Sequence, residues 1–314
     1  MPRFAVLGLA LALALGGAQA AAPQQKTQAP GYYRMMLGDF EITALNDGTV
    51  DLPMDKLLTG AQPGQVLRAL QAAYLGVPVE TSVNGYLINT GSKLVLIDTG
   101  AARLFGPTLG RLLTNLKAAG YAPEQVDEVY ITHMHSDHAG GLLAEGKAAF
   151  PNAVLRMDKR ESDHWLSAAN KEKAPEAARA GFQTAMMLAK PYQDADRLKP
   201  FEGATELVPG VRALPTYGHT PGHTVYLIES KGQKMAVWGD LMHVAAVQFP
   251  DPSVTITFDS DSAAAMPQRQ KAYAEAAEAG YYVAVAHVAF PGIGRLRADG
   301  KGYVWVPANY SSKP

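Results

Sequence analysis

The sequence predicts an α/β (α+β) fold in which layers of β-sheet and helix pack against each other. Short apolar strands occur in runs, helical patterns separate the runs, and the second half of the chain repeats this order. With 314 residues, 47% of them hydrophobic, the chain is long enough to bury one large core. No Gly/Ser-rich or charged linker interrupts the chain beyond its first segment, so we expect one folded domain at residues 35–314.

Residues 1–20 have the build of a secretory signal peptide. Arg3 supplies a positive start, "FAVLGLALALAL" (4–15) is an apolar run, and "AQA" (18–20) is a cleavage site of small residues. The apolar run is too short for a membrane span. We therefore expect a periplasmic or secreted protein after removal of this peptide, with a flexible N-terminal arm at 21–34 that is rich in Pro and Gln.

The first half of the domain predicts strands and one helix. The expected elements are a β-hairpin "FEITALNDGTVDL" (40–52) turning at Asn-Asp-Gly, strands "SVNGYLINTG" (82–91) and "KLVLIDTG" (93–100), helix "TLGRLLTNLKAAG" (108–120), and strand "VDEVYITH" (126–133). Asn-Asp-Gly between alternating residues is typical of a hairpin turn. Gly120 is placed to end the helix.

The second half repeats this pattern. An Ala-rich helical region covers 160–190, and the remaining elements are strands "VRALPT" (211–216), "TVYLIES" (224–230) and "KMAVWGD" (234–240), a helix at 263–280, and a last strand "YVAVAHVAF" (282–290).

Composition excludes several classes of function. The chain has no Cys, so any metal must be held by His, Asp or Glu. The formal net charge is −1 and no basic stripe is present, which gives nucleic-acid binding no electrostatic support. Beyond the signal peptide, no segment is apolar for long enough to predict a membrane span.

Polar residues stand at the ends of apolar strands. The five positions are Asp98, His133, His219, Asp240 and His287. Each alone has an ordinary explanation, such as a satisfied core histidine or an Asp bonded to nearby backbone. Together they indicate a site, because independent accidents would scatter over strand starts and ends alike.

The densest cluster is "YITHMHSDHAGG" (130–141). In an extended segment residues two apart face the same side, so His133 and His135 can bind one metal ion together. Asp137 and His138 lie where Ala-Gly-Gly lets the backbone turn, and they would face a second position. Two ions about 3.5–4 Å apart are typical of hydrolases in which a bridging hydroxide attacks the substrate. A solvated polar loop would not require this spacing.

These blocks resemble the metallo-β-lactamase superfamily. The similarity is carried by His133-x-His135-x-Asp137-His138, Gly-His219-Thr-Pro-Gly-His223, Gly-Asp240 and the late His287. The stretches "GYYRMMLGDFEITALNDGTV" and "FPGIGRLRADGKGY" further resemble the methyl parathion hydrolases and their lactonase-like (dihydrocoumarin hydrolase) relatives. The implied fold is an αββα sandwich of two mixed sheets flanked by helices.

The resemblance implies the role of each site residue. One divalent ion would be held by His133, His135 and His219, and the other by Asp137, His138 and His287, with Asp240 bridging them. Zn²⁺ suits these ligands best, although Mn²⁺, Co²⁺ or Fe²⁺ could be accepted. Asp137 and Asp240 would be catalytic and orient the hydroxide. Asp98 would accept a ring N–H from a ligand histidine, and His223 would act similarly or pack in its turn.

The substrate expected from the resemblance is small and neutral: a lactone, an aryl ester or an organophosphate. Residues expected to shape its pocket are Leu57, Phe105, Trp165, Phe182, His243, Ile256 and Phe258. Bulky residues at His243, Ile256 and Phe258 favour a lactonase or arylesterase over the alternative, a methyl parathion hydrolase-type phosphotriesterase. A β-lactamase and a non-enzymatic periplasmic metal-binding protein are less favoured. The resemblance also implies a homodimer.

Overall fold

A computed structural model describes residues 22–312 of the chain. The predicted signal peptide at 1–20 lies outside these residues. Residues 22–31 form no helix or strand and are mostly exposed, and the first strand begins at Tyr32. The last three residues of the predicted 21–34 arm therefore belong to the folded domain.

The described residues form strands and helices in alternating groups. The strands are β1 (Tyr32–Leu37), β2 (Phe40–Leu52), β3 (Leu58–Thr59), β4 (Val79–Asn89), β5 (Leu94–Ile97), β6 (Glu128–Tyr130), β7 (Leu143–Ala144), β8 (Lys147–Ala148), β9 (Val154–Arg156), β10 (Thr205–Val208), β11 (Val211–Pro215), β12 (Thr224–Ser230), β13 (Gln233–Val237), β14 (Thr255–Ile256), β15 (Tyr282–Ala284), β16 (Ile293–Asp299) and β17 (Gly302–Pro307). The helices are α1 (Met54–Leu57), α2 (Gln65–Ala72), α3 (Leu112–Ala118), α4 (Ser136–Ala139), α5 (Lys159–Trp165), α6 (Ala168–Lys173), α7 (Glu176–Asp194), α8 (Ala245–Gln248) and α9 (Ser262–Ala279).

Two mixed sheets form the centre of the molecule. The first has the order β1-β2-β4-β5-β6-β9 and the second β10-β11-β12-β13-β15-β16-β17. Strands β5, β6 and β9 are parallel, as are β13 and β15, and the other neighbours are antiparallel. Two small two-stranded sheets, β3 with β14 and β7 with β8, lie outside these layers.

The core explains why the central strands are apolar on both faces. In β5, Val95 and Ile97 point into the layer between the sheets, where they join Tyr226 and Val237 of the second sheet. Leu94 and Leu96 point to the opposite face, which α3 and α7 cover. Alternation along the strand thus sends successive side chains into two separate cores.

Helix α9 covers the outer face of the second sheet, where Tyr273 packs near Trp238. The molecule is therefore the predicted αββα sandwich, with helices on both outer faces.

The Asn-Asp-Gly segment does not form the predicted hairpin. Residues 40–52 are one continuous strand, β2, with a β-bulge between Asn46 and Gly48. The Asp47 carboxylate is buried and accepts N–H groups from three residues of a distant loop: Ala101, Gly110 and Leu112. Gly48 has φ +135°, and a Cβ there would lie 2.0 Å from the Thr108 carbonyl oxygen. Tertiary contacts with this loop therefore replace the local turn.

Three other predicted elements differ in extent. The helix predicted at 108–120 begins only at Leu112, and the helical region 160–190 consists of three helices, α5 to α7. The strand predicted at 282–290 ends at Ala284, which leaves His287 in the turn that follows. Among the described residues, no helix is long and apolar enough to cross a membrane.

Candidate metal centre and active site

The carboxyl ends of several strands meet at one edge of the sandwich. Strands β5 and β6 run parallel, and β13 and β15 run parallel in the other sheet. The residues that follow these strands are Asp98 after β5, the 132–138 segment after β6, Asp240 after β13 and His287 after β15; His219 follows β11. The strand-end residues selected from the sequence therefore come together in space.

Four side chains converge to form what we call the first metal site: His133, His135, His219 and Asp240. The Nδ1 atom of His135 lies 3.0 Å from His133 Nε2 and 3.1 Å from His219 Nε2. The Asp240 Oδ2 atom lies 3.5 Å from His133 Nε2 and 3.3 Å from His219 Nε2.

A second metal site adjoins the first through the other oxygen of Asp240. Its members are Asp137, His138, His287 and Asp240. Asp240 Oδ1 lies 3.1 Å from His138 Nε2 and 3.0 Å from His287 Nε2. The Asp137 Oδ2 atom lies 3.6 Å and 3.4 Å from the same two nitrogens. Asp240 thus presents one oxygen to each site.

Both groups have the dimensions of a tetrahedral site for a divalent ion. Four ligands about 2.0–2.1 Å from zinc lie about 3.3–3.4 Å from one another, and the distances above range from 3.0 to 3.6 Å. Within the described residues, the buried His138 Nε2 and Asp240 Oδ1 atoms make no hydrogen bond. Buried polar atoms without a partner are costly, and a metal ion would satisfy both.

The ring nitrogens facing away from the centre have partners of their own. The Nδ1 atom of His133 lies 3.1 Å from Thr132 Oγ1, and that of His138 lies 2.8 Å from Asp98 Oδ2. The Nδ1 atom of His219 lies 2.9 Å from Asp259 Oδ1. In His287, Nδ1 donates to the Ser82 carbonyl oxygen at 2.9 Å. These contacts fix the tautomer in which Nε2 is free to bind a metal.

Carboxylates and imidazoles in the cluster shift one another's pKa values. Burial alone would lower the pKa of His287, but the charges of Asp240 and Asp137 raise it to about 10. Burial would raise the pKa of Asp240, but the charges of His138 and His287 lower it. The cluster therefore keeps Asp240 ionised, as a metal ligand must be.

Two further histidines contact Asp240 without joining either donor group. The backbone N–H of Asp240 donates to His223 Nε2 at 3.0 Å, so His223 holds the main chain of this residue. His243 lies with Nε2 3.0 Å from Asp240 Oδ2, and its ring stacks on His287. Because a carboxylate only accepts, His243 must carry its proton on Nε2 in this pair.

A cavity of about 290 Å³ opens beside both metal sites. Its lining residues are Val50, Leu52, Met54, Thr81, Phe105, His135, Ser136, Asp137, Asp240, His243, Phe258 and His287. Apart from the metal-site residues and His243, the lining is uncharged. Phe105 and Phe258 are 51% and 39% exposed, which places apolar rings at the surface of the cavity.

Three of the predicted pocket residues, Phe105, His243 and Phe258, line this cavity. The other four pack elsewhere. Ile256 is fully buried in a cluster formed by α1, α2, α8 and β14, and Leu57 packs against the same cluster. Trp165 and Phe182 contact each other, and Trp165 meets the His135 ring edge-on at 5.7 Å. Trp165 therefore supports a metal-site residue, Phe182 packs against Trp165, and neither lines the cavity.

Two carboxylates that hold parts of the metal centre are not marked by any sequence motif. Asp259 holds His219, and the fully buried Glu161 accepts three hydrogen bonds from the loops of the first metal site. Burial raises the pKa of Glu161, and these hydrogen bonds oppose that shift. Asp259 lies in the polar run "FDSDS" and Glu161 in an Ala-poor helix start, so neither follows a motif.

The fold and the two donor groups define a metal-dependent hydrolase with two divalent metal ions. The profile of the metallo-beta-lactamase superfamily matches residues 78–287, and the chain belongs to this superfamily. The crystal structure of the hydrolase AbOPH, also of the beta lactamase superfamily, shares 37% identity and a TM-score of 0.87, and the match covers 91% of this chain and 100% of that one.

Other relatives are named as lactonases. The structure of AidC, a dizinc quorum-quenching lactonase in complex with a product, shares 26% identity with a TM-score of 0.82, over 90% of this chain and 99% of that one. An N-acyl homoserine lactonase from Bacillus cereus is 29% identical over 59% of this chain and 74% of its own length. One from Bacillus sp is 31% identical over 46% of this chain and 58% of its own length.

Proposed function

We propose that this protein opens lactone rings by hydrolysis and also cleaves small aryl esters. The observation that carries the proposal is the cavity: it adjoins both metal sites, its remaining walls are uncharged, and apolar rings stand at its surface. A neutral, compact ester fits such a lining, whereas a charged substrate would find no opposite charge beyond the metal sites.

Each residue of the centre has a defined task in this reaction. When bound, two divalent ions lower the pKa of water towards about 7 and polarise a carbonyl oxygen. Asp240 links the two sites by presenting one oxygen to each. His243 fixes the rotation of that carboxylate by donating to Oδ2. Asp137 is partly exposed, with 24% of its side chain accessible, and lines the cavity. Its carboxylate would first accept a proton from the attacking water and then pass that proton to the departing alkoxide oxygen.

The relatives support this assignment. AidC and the Bacillus proteins are named as lactonases, and AidC as a dizinc enzyme. The chain spans 58% of the length of the Bacillus sp relative, so its substrate is proposed from the site as well as from the names.

A substrate comparison tests the proposal. One purified, Zn²⁺-loaded sample would be assayed with dihydrocoumarin, an N-acyl homoserine lactone and methyl parathion, and kcat/KM compared. We expect one of the two lactones to be hydrolysed most efficiently and the phosphotriester only weakly. A higher kcat/KM for methyl parathion would overturn the lactonase assignment and favour a phosphotriesterase.

A double variant examines the wall of the cavity. Replacing His243→Leu with Phe258→Leu removes two rings from the lining, and we expect the ratio of kcat/KM values to shift towards methyl parathion. An unchanged ratio would mean that these rings do not select the substrate. Export after loss of residues 1–20 and assembly as a homodimer remain predictions, which N-terminal sequencing of the mature protein and its mass in solution would test.

A further inference from the structure

Helix α5 contains a buried carboxylate to which the mechanism assigns no role. Glu161 is fully buried. Its Oε1 atom accepts the backbone N–H of Met134 at 2.8 Å. Its Oε2 atom accepts the Thr220 hydroxyl at 2.7 Å and the Gly222 N–H at 2.8 Å. A buried charge is tolerated when hydrogen bonds satisfy both oxygens, as they do here.

The three donors belong to the two loops that carry the histidines of the first metal site. Met134 lies between His133 and His135, and Thr220 follows His219 directly. Each oxygen of Glu161 therefore holds one loop, and the side chain sets the distance between them.

Helix α5 touches the same two loops by other contacts. A Cβ on Gly222 would lie 2.3 Å from the Glu161 nitrogen, so only glycine allows the helix to approach this closely. At the far end of the helix, Trp165 meets the ring of His135. The histidines of the second metal site have other partners: Asp98 holds His138, and the Ser82 carbonyl holds His287. Among the described residues, neither partner is hydrogen-bonded to this helix.

The geometry points to Glu161 as the positioning residue of the first metal site. It presets the separation of the two histidine loops, so that the first site binds its ion with little rearrangement, whereas the outer partners of the second-site histidines, Asp98 and the Ser82 carbonyl, lie on other segments. This inference rests on the dinuclear centre and not on the choice of substrate. Zinc binding, measured without any substrate, therefore tests it separately from lactone hydrolysis.

Glu161→Gln is the informative variant because the amide has nearly the same size as the carboxylate. An amide has one acceptor oxygen and one N–H₂ group, which only donates. It can therefore hold only one of the two loops, and its N–H₂ group faces the donors of the other. Outer partners of metal ligands typically change affinity by 10–100-fold. In Glu161→Gln we therefore expect the first site to bind Zn²⁺ about 10-fold or more weakly than it does in the parent protein.

Asp47→Asn is the matched control. Asp47 is also a buried carboxylate with three donors, all of them backbone N–H groups. These donors lie in the loop before α3 and at its first residue, and none of them is a neighbour of a metal-site residue in the chain. Both variants and the parent protein would be stripped of metal and titrated with Zn²⁺ against a chromophoric chelator. Thermal unfolding of the metal-free forms compares their stability. We expect two tight Zn²⁺ ions in Asp47→Asn and one in Glu161→Gln.

Backgrounds lacking one site show which ion is affected. With His287→Ala, which damages the second site, adding Glu161→Gln should weaken the remaining ion about 10-fold or more. With His219→Ala, which damages the first, it should change the remaining ion little. Two Zn²⁺ ions bound with parent affinity in Glu161→Gln, or an equal loss in Asp47→Asn, would overturn the inference.

A milder variant can be used if Glu161→Gln does not fold. Thr220→Val removes one of the three donors and should weaken only the first ion, by several-fold; unchanged binding there would equally overturn the inference.

Discussion

Asp98 controls which nitrogen of His138 carries the proton. Its Oδ2 atom accepts the Thr132 hydroxyl and the His138 Nδ1–H, each at 2.8 Å, while Oδ1 accepts the Thr132 backbone N–H at 2.8 Å. With the proton on Nδ1, His138 presents Nε2 to the second metal site. The substitution Asp98→Asn replaces one of these two oxygens with an amide N–H₂ group and hardly changes the size of the side chain.

The backbone does not resist this change. Asp98 has φ +59°, a conformation that Asn adopts readily. The amide oxygen stays with the buried Thr132 N–H, because that donor has no other partner, and the N–H₂ group then faces His138. In the metal-free parent protein the charges of Asp240, Asp137 and Asp98 outweigh burial and raise the pKa of His138, so that its ring can carry a proton on both nitrogens. In Asp98→Asn the ring avoids the clash by giving up the Nδ1 proton and keeping the proton on Nε2. A metal ion needs Nε2 without a proton, so the proton must return to Nδ1, where it faces the amide N–H₂ group. One buried N–H is then left without an acceptor.

That unsatisfied donor sets the size of the effect. A buried hydrogen-bond donor without a partner costs about 1–3 kcal/mol. Since about 1.4 kcal/mol is tenfold in an equilibrium constant, we expect Zn²⁺ at the second site of Asp98→Asn to bind about 5- to 150-fold more weakly. The first site should lose less affinity, because Asp98 reaches it only through the Thr132 hydroxyl beside His133, while Asp259 holds His219.

Competition with a chromophoric chelator measures both dissociation constants, and ¹⁵N NMR of His138 identifies its tautomer in the metal-free protein. Asp47→Asn again serves as the control for loss of a buried carboxylate. Parent affinity at the second site, or a His138 ring still protonated on Nδ1, would refute this reasoning.

Three further outcomes follow from the site. Loading the metal-free protein with Zn²⁺ at pH 8 should release protons, because Asp240 and Asp137 outweigh burial and raise the pKa of His287 to about 10, and a ligand histidine must be neutral. The affinity for Zn²⁺ should accordingly rise with pH up to about 10. Calorimetry in buffers of different ionisation enthalpy counts the protons released, and proton uptake would contradict the prediction. A strong chelator should abolish lactone hydrolysis and Zn²⁺ should restore it; hydrolysis indifferent to chelation would exclude metal participation. Phe105→Ala should raise KM for apolar lactones about 5- to 30-fold, from about 1–2 kcal/mol of lost apolar contact, and leave zinc binding intact. Met187→Ala, at a similarly exposed position outside the cavity, should change neither.

The metal-site residues could be predicted because their signal is local. His133, His135, Asp137 and His138 fall within one short segment, and the other three stand just beyond apolar strands. Metal ligands are restricted in residue type, and parallel strands bring their carboxyl ends to one edge. Residue type and position along the chain are therefore enough to identify the cluster.

Residues that act through distant partners could not be predicted in this way. Glu161 and Asp259 stand in ordinary polar contexts, and their roles appear only when loops far apart in the chain meet. The hairpin predicted at Asn-Asp-Gly was wrong for the same reason, since Asp47 is satisfied by a loop more than fifty residues away. The pocket shows a further limit: Ile256 is apolar and close in sequence to Phe258, but faces the opposite way into a core.

The two sheets contribute separately to the metal centre. His133, His135, Asp137 and His138 follow a strand of the first sheet, while His219, Asp240 and His287 follow strands of the second. Each ion would therefore cross-link the two halves of the chain, in a protein that has no cysteine for a disulfide. Metal-binding energy then also favours docking of one half onto the other. Zinc supply would then affect the stability of the folded chain as well as its rate of turnover.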